Sequence, residues 1–261
     1  MDFVNRQKRS KRQTMKKTVN ASDLQIQSVD LLRQARDRHG DKLVYPCSFG
    51  AEGMVLIDLI CQHTAGIRIV TLDTGRLPQA THDLIDACRK HYGIAIEMLY
   101  PDAGEVGEMV RDHGSNLFLN SVEKRKLCCE IRKVRPLRRA LKGMDAWITG
   151  RTRDQSKERR DMRRIEEDSV FGLIKYNPLI EWTWQGIWDY IRAHHVPYSR
   201  LHDQHFVSIG CEPCTRAISV GEDPRAGRWW WEQEEGSAAE CGLHMDPVRR
   251  SGNNHEHGEG I

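Results

Sequence analysis

The amino-acid sequence predicts an α/β fold, a doubly wound, mostly parallel sheet with helices on both faces. Short apolar runs of strand character alternate with longer segments whose apolar residues recur at helical spacing. Small residues stand directly after the first strand, where the chain must turn into a helix. The 261 residues, 39% of them hydrophobic, suffice for one large domain with a small extension.

The elements follow in order. Residues 22–38 open on a Ser-Asp cap signal and run as a first helix. KLVYPCSF (42–49) reads as a strand, Gly50 and Ala51 turn the chain, and MVLIDLICQH continues as an apolar helix. IRIVTLDTG (67–75) is a second strand, Pro78 to Tyr92 a helix, and IAIEMLY (94–100) a third strand. A basic helical region precedes AWITGR (146–151), the fourth strand. LIKYNPLIEW (173–182) is the last strand, and WTWQGIWDYIRAHH a helix with tryptophans on its buried face. Strands alternating with helices imply right-handed crossovers, with ligands beyond the carboxyl ends of the strands.

Charge narrows the partners. Residues 1–17 carry seven Lys/Arg against Asp2; without them the chain has 33 basic and 36 acidic residues. The formal +3 is therefore the property of a basic arm, expected to be a disordered leader with Met15 as an alternative start, and not of a nucleic-acid-binding surface. No apolar run approaches membrane-spanning length and no secretory signal follows the basic arm, so a cytoplasmic location with reduced cysteines is expected. The expected division is arm 1–17, α/β nucleotide-binding domain 18–207, cluster-binding and catalytic segment 208–246, and a disordered polar tail 247–261.

Ser208 to His244 holds the densest chemistry: Cys211 and Cys214 as Cys-x-x-C, Arg225 and Arg228 three apart, a triple tryptophan, and a lone Cys241. Cys-x-x-C alone fits a redox disulfide, a zinc site or an iron–sulfur site. Cys128 and Cys129 supply two more thiols, and being adjacent they are awkward for one tetrahedral ion. A four-iron cluster offers separate corners, which favours a [4Fe-4S] cluster on Cys128, Cys129, Cys211 and Cys214. Between Lys124 and Lys142 there are nine Lys/Arg and only Glu130, with Pro136 set to start, kink or interrupt the helix. The loop Ser48-Phe49-Gly50-Ala51-Glu52-Gly53 leaves backbone N–H groups free to face an anion but lacks the Gly-Lys-Ser/Thr of a Walker loop. Cys47, Cys61, Cys88, His194, His195 and Trp229 to Trp231 read as packing residues.

Cys-Cys at 128–129, Cys-x-x-C at 211–214 and Glu-Cys-Gly-Leu-His at 240–244 resemble the iron–sulfur class of assimilatory adenylyl-sulfate (APS) reductases, from about Val44 to His244. The resemblance implies the pyrophosphatase-loop, adenine-nucleotide alpha-hydrolase-like superfamily and a thioredoxin-dependent (or glutaredoxin-dependent) reduction of APS to sulfite and AMP. Ser48, Phe49, Gly50, Ala51 and Glu52 match its nucleotide loop, although Gly53 stands where relatives often carry Asp. Leu72, Asp73, Thr74 and Gly75 match a second nucleotide motif. Thr149-Gly150-Arg151 with Arg153-Asp154-Gln155-Ser156 resembles the phosphosulfate-contacting segment, and implies roles for Gly150 and Arg153; Thr152 replaces the usual arginine. Lys133, four residues after the second cysteine, is placed by the resemblance near cluster and substrate.

The implied chemistry is nucleophilic. Cys241 attacks the sulfur of APS and forms S-sulfocysteine, with Arg225, Arg228, Lys133 and His244 supplying positive charge. The glycines at 236 and 242 are expected to leave this catalytic segment mobile. The cluster is expected to act structurally and electrostatically, and to favour APS over 3′-phospho-APS, the alternative substrate. An ATP-dependent relative such as a tRNA thiolase is a rival without the ECGLH end, and a zinc-stabilised nucleic-acid-binding module conflicts with the negative charge of residues 18–261. Homo-oligomer formation is left open.

Overall fold

Five parallel strands and one antiparallel edge strand build the sheet, and their order decides where a ligand can bind. The computed structural model describes residues 21–155 and 159–232. Its elements are α1 (Ala21–His39), β1 (Leu43–Cys47), α2 (Ala51–His63), β2 (Arg68–Leu72), α3 (Gln79–Tyr92), β3 (Glu97–Leu99) and α4 (Ala103–His113). There follow α5 (Val122–Cys129), a π turn (Glu130–Val134), α6 (Arg135–Leu141), β4 (Ala146–Ile148), β5 (Ile165–Asp168), β6 (Leu173–Tyr176) and α7 (Trp184–His194). The sheet order is β3-β2-β1-β4-β6-β5, parallel except where β5 runs against β6.

Residue alternation in β1 distributes the core. Leu43, Tyr45 and Cys47 pack on α1, α2 and α7 on one face; Val44 packs with Val70, Trp147, Leu137 and Leu141 on the other. Helix α2 is buried along most of its length, from Ala51 to Ile60, which matches a helix apolar on all sides. Its buried Asp58 is satisfied by Gln62, Tyr92 and Tyr190 at 2.6–2.9 Å, tying α2 to α3 and α7.

The predicted doubly wound α/β fold is the observed one, with local departures: helix α4 was not read from the sequence, β3 and β4 are shorter than predicted, and three further elements differ. Strand β6 stops at Tyr176, because Asn177 turns to bond Arg163 and Glu166. Strand β5, a charged edge strand (IEED), was unreadable as a strand because polar edge residues lack the apolar period. In α7 the fully buried face is Ile187, Tyr190 and Ile191, whereas Trp184 and Trp188 lie half-buried against Tyr198 and His202.

The basic helical region resolves into one helix interrupted by the π turn. Pro136 has no N–H to donate and sits in the opening turn of α6, just past the widened segment. Cys128 and Cys129 are therefore the last residues of α5, and Lys133 lies inside the π turn.

No helix among the described residues is long and apolar enough to cross a membrane. The arm 1–17, the tail 247–261, Cys241 and His244 lie outside the described residues.

Candidate active site

Strands β1 and β4 are adjacent in the sheet, although β2 and β3 follow β1 in the chain. The crossovers leave that edge of the pair in opposite directions, opening a crevice beyond the carboxyl ends. A cavity of about 360 Å³ lies there. Ser48, Gly50, Glu52 and Gly53 line it from β1, Leu72 and Thr74 from β2, and Thr149, Gly150, Arg151 and Thr152 from β4.

The loop after β1 is held in an unusual conformation. Phe49 has φ 58°, in the left-handed region that a side chain disfavours, and its N–H donates to Cys47 Sγ at 3.3 Å. Its ring is buried in the core, as is Ala51, so these two shape the loop while Ser48, Gly50 and Glu52 face the cavity. Gly53 sits in tight packing: a β-carbon there would stand 3.0 Å from Cys47 Sγ and 3.5 Å from the Tyr45 hydroxyl, so a side chain would need the Cys47 thiol to give by a few tenths of an ångström.

The β2 loop divides similarly. Asp73 Oδ1 accepts from Gly75 N at 2.8 Å, a turn-forming contact, and neither residue lines the cavity. Thr74 reaches the other way, with its hydroxyl 3.2 Å from Cys211 Sγ and its carbonyl accepting from Arg132 Nη1 at 2.6 Å.

Arginine placement departs from the pattern read in the sequence. Arg153 turns away from the cavity; its guanidinium donates to the Met162 carbonyl at 2.8 Å and pairs with Glu181. Arg159, buried at 5% exposure, and Arg151 line the cavity instead, joined by Arg225, Arg228 and Lys133. Sequence inspection missed Arg159 because the SKERRDM insertion holds two adjacent arginines with nothing to separate them. Against these five cations the cavity wall has only Glu52 and Asp154, an excess suited to an anion. Trp147 and Trp184 add flat apolar surface to the same wall.

A second, smaller pocket of about 20 Å³ adjoins the first. Cys128, Cys129, Cys211 and Cys214 all line it, together with Arg76, Arg125, Arg132, Lys133 and Arg228. Lys133, Arg228 and Trp229 line both spaces, so they form the partition between them. All four cysteines are buried at 8% exposure. Burial pushes the Cys211 thiol up, but Lys133, the Thr74 hydroxyl and Arg228 outweigh it, and its pKa falls below that of a free thiol. Burial dominates at Cys214, raised to about 11, and also raises Cys128. Among the described residues no group of three or more His, Cys, Asp or Glu is arranged to hold a single metal ion. The four thiols share one pocket.

Cys47 and Cys61, raised to about 11 by burial, and Cys88, raised further, are packing residues as read from the sequence. His195 caps α7 in the left-handed conformation and His194 stacks on Tyr190 at 4.1 Å.

A family model described as the phosphoadenosine phosphosulfate reductase domain matches residues 42–217. The chain belongs to this family. It is an oxidoreductase of the APS/PAPS reductase type. An adenosine 5′-phosphosulfate reductase of Allochromatium vinosum is 48% identical over 217 residues, covering 83% of this chain and 84% of that one. Adenosine 5′-phosphosulfate reductase 2 of Bacillus subtilis is 45% identical, with 86% and 92% covered. The crystal structure of a phosphoadenylyl-sulfate reductase from Candida auris, in a phosphate complex, superposes with a TM-score of 0.63 at 27% identity, over 76% of this chain and 96% of that one. The matched residues span the β1 loop, the β4 loop and all four pocket cysteines of this reductase-family chain.

Proposed function

We propose that the chain reduces adenosine 5′-phosphosulfate to sulfite and AMP, through an S-sulfocysteine on Cys241, in assimilatory sulfate reduction. The observation that carries this is the partition: a nucleotide-sized cavity at the sheet's crossover point shares Lys133 and Arg228 with a pocket of four cysteines. Relatives at 45–48% identity that are named APS reductases support the choice of substrate.

In this reading the loops after β1 and β4 hold the adenosine and phosphate, while Arg151, Arg159, Arg225, Arg228 and Lys133 face the phosphosulfate. Fixed guanidiniums suit tetrahedral oxyanions because their paired N–H donors match two oxygens at once. The Cys241 thiolate attacks the sulfate sulfur; the S–S bond forms as the bond from sulfur to the AMP phosphate oxygen breaks, and AMP leaves with that electron pair. Cations beside the sulfonate offset charge that moves during the transfer. A thiolate of reduced thioredoxin (or glutaredoxin) then attacks Cys241 Sγ, releasing sulfite with the S–S electron pair. The reductant's second thiol resolves the mixed disulfide.

Cys128, Cys129, Cys211 and Cys214 are the residues that would hold a [4Fe-4S] cluster. The donor set supports it: four buried thiols line one small pocket, two of them adjacent in sequence, and five cations line the same pocket. Bound there, the cluster would add fixed structure and charge beside the sulfate and carry no electrons for the reaction.

The deciding experiment gives purified enzyme APS or 3′-phospho-APS with reduced thioredoxin and no ATP, and measures sulfite. Higher kcat/KM on APS is expected. Preference for the phosphorylated compound would overturn the substrate choice, and a requirement for ATP would overturn the reaction.

A further inference from the structure

Arg228 occupies the partition, yet its guanidinium makes few polar contacts of its own: Nε donates to the Cys214 carbonyl at 3.1 Å and Nη1 to Ser208 Oγ at 3.4 Å. Its remaining support is the Trp229 ring, whose centroid lies 4.9 Å from Arg228 Cζ. Trp229 is 3% exposed, and its indole N–H has no hydrogen-bond partner among the described residues, so stacking and packing fix the ring. Arg125 Cζ lies over the same ring at 4.4 Å. Arg125 is in turn locked by Glu232, which accepts from Nε at 2.8 Å and from Nη2 at 2.7 Å. That pair is buried, with side chains 1% and 7% exposed. Glu232 closes the unit by donating its own N–H to the Trp229 carbonyl at 2.8 Å.

We infer that Glu232, Arg125 and Trp229 form a positioning unit that holds the Arg228 guanidinium against the phosphosulfate end of the substrate cavity. The inference rests on the reading of that cavity as the APS site. None of the three lends a charge to the substrate: Arg125 is neutralised by Glu232 and lines only the cysteine pocket, and Trp229, which lines both spaces, presents an uncharged ring. Their effect on the charged end of the substrate is inferred to run through Arg228, and a double-variant cycle separates it from direct contact of the Trp229 ring. Gly210 leaves room for that placement, since a β-carbon there would overlap the space that the Arg228 guanidinium occupies.

The test is steady-state kinetics of the full-length, iron-loaded enzyme with APS and reduced thioredoxin. Trp229→Leu should raise KM roughly three- to tenfold with little change in kcat, while Trp229→Phe, which keeps a ring, should stay near wild type. The decisive readout is a double-variant cycle. Arg228→Ala combined with Trp229→Leu should have the KM of Arg228→Ala alone, because a residue acting only through Arg228 has nothing left to act on. Iron content and unfolding midpoint are measured alongside. Additive effects in the cycle, equal losses for Phe and Leu, or a KM rise that tracks lost iron would overturn the inference and leave the APS reading standing. An unchanged KM in Arg228→Ala would overturn the cavity assignment itself. Should Trp229→Leu fail to fold, Glu232→Gln replaces it in the same cycle and must show the same non-additivity with Arg228→Ala.

Discussion

Two halves of the active site are built by opposite means. The loops after β1, β2 and β4 hang from a sheet whose strands are fixed by a backbone ladder and an apolar core. The stretch from His205 to Glu232 has only short helical turns and one isolated bridge, Thr215 to Arg228. Polar contacts hold it, namely Glu212 N to the Arg76 carbonyl at 2.8 Å, Thr74 to Cys211, and Arg125 to Glu232, together with a small apolar cluster of Cys211, Cys214 and Trp229 on Leu117, Phe118 and Ile131. The ladder spreads its load over many backbone hydrogen bonds. The second half concentrates its load on a few buried polar groups, where one lost partner strands another.

Cys241→Ser should break the contrast most completely. It should abolish turnover because a serine hydroxyl is hardly ionised at neutral pH, while APS binding and iron content persist. Mass spectrometry of wild-type protein given APS without reductant should find one sulfite group on the peptide containing Cys241; an adduct on another cysteine sinks the assignment.

Next, Cys211→Ser should remove the colour and iron of anaerobically purified protein, for which about four irons per chain are expected in wild type. Colourless wild-type protein with one tightly bound zinc would reverse the cofactor assignment.

Glu232→Ala sharpens the comparison on stability. It leaves the Arg125 charge buried without its carboxylate, at a cost of about 3–5 kcal/mol in denaturant unfolding. Removing the exposed Asp112 beside Arg111 should leave the unfolding midpoint nearly unchanged. Equal effects would mean that burial of the Arg125–Glu232 pair does not set its cost.

The smallest contrast lies within the β4 loop. Arg159→Ala should raise KM for APS severalfold, whereas Arg153→Ala, whose guanidinium faces Glu181 and Met162, should leave KM within about twofold. Deleting residues 1–15 should change neither, as those residues include little apolar surface to dock.

How much was legible follows the same division. The sheet was readable because apolar periodicity is a local signal, and Leu43, Tyr45 and Cys47 alternate with Val44 in the sequence as they do across the sheet. The thiols were readable because cysteine types and spacing carry chemistry. Arg125, Trp229 and Glu232 were not, since 107 residues separate the ion-pair partners and nothing local marks one arginine among nine basic residues as buried. Arg153 was read as facing the phosphosulfate and Arg159 was not singled out, because which arginine turns inward depends on the Met162 carbonyl and on Glu181, contacts that no local pattern marks.

The π turn at Glu130–Val134 amounts to a tolerated insertion in an otherwise regular helix. One residue advances an α-helix by about 100°. Deleting a residue within the turn would therefore let the helix run on at regular pitch and swing Cys128 and Cys129 about a quarter-turn relative to α6, which is anchored in the sheet's core by Leu137 and Leu141. Both thiols would then leave the pocket they share with Cys211 and Cys214. The helix would gain regularity and the enzyme would lose its fourfold thiol set, so the length of this segment is under tighter constraint than the identity of its exposed residues.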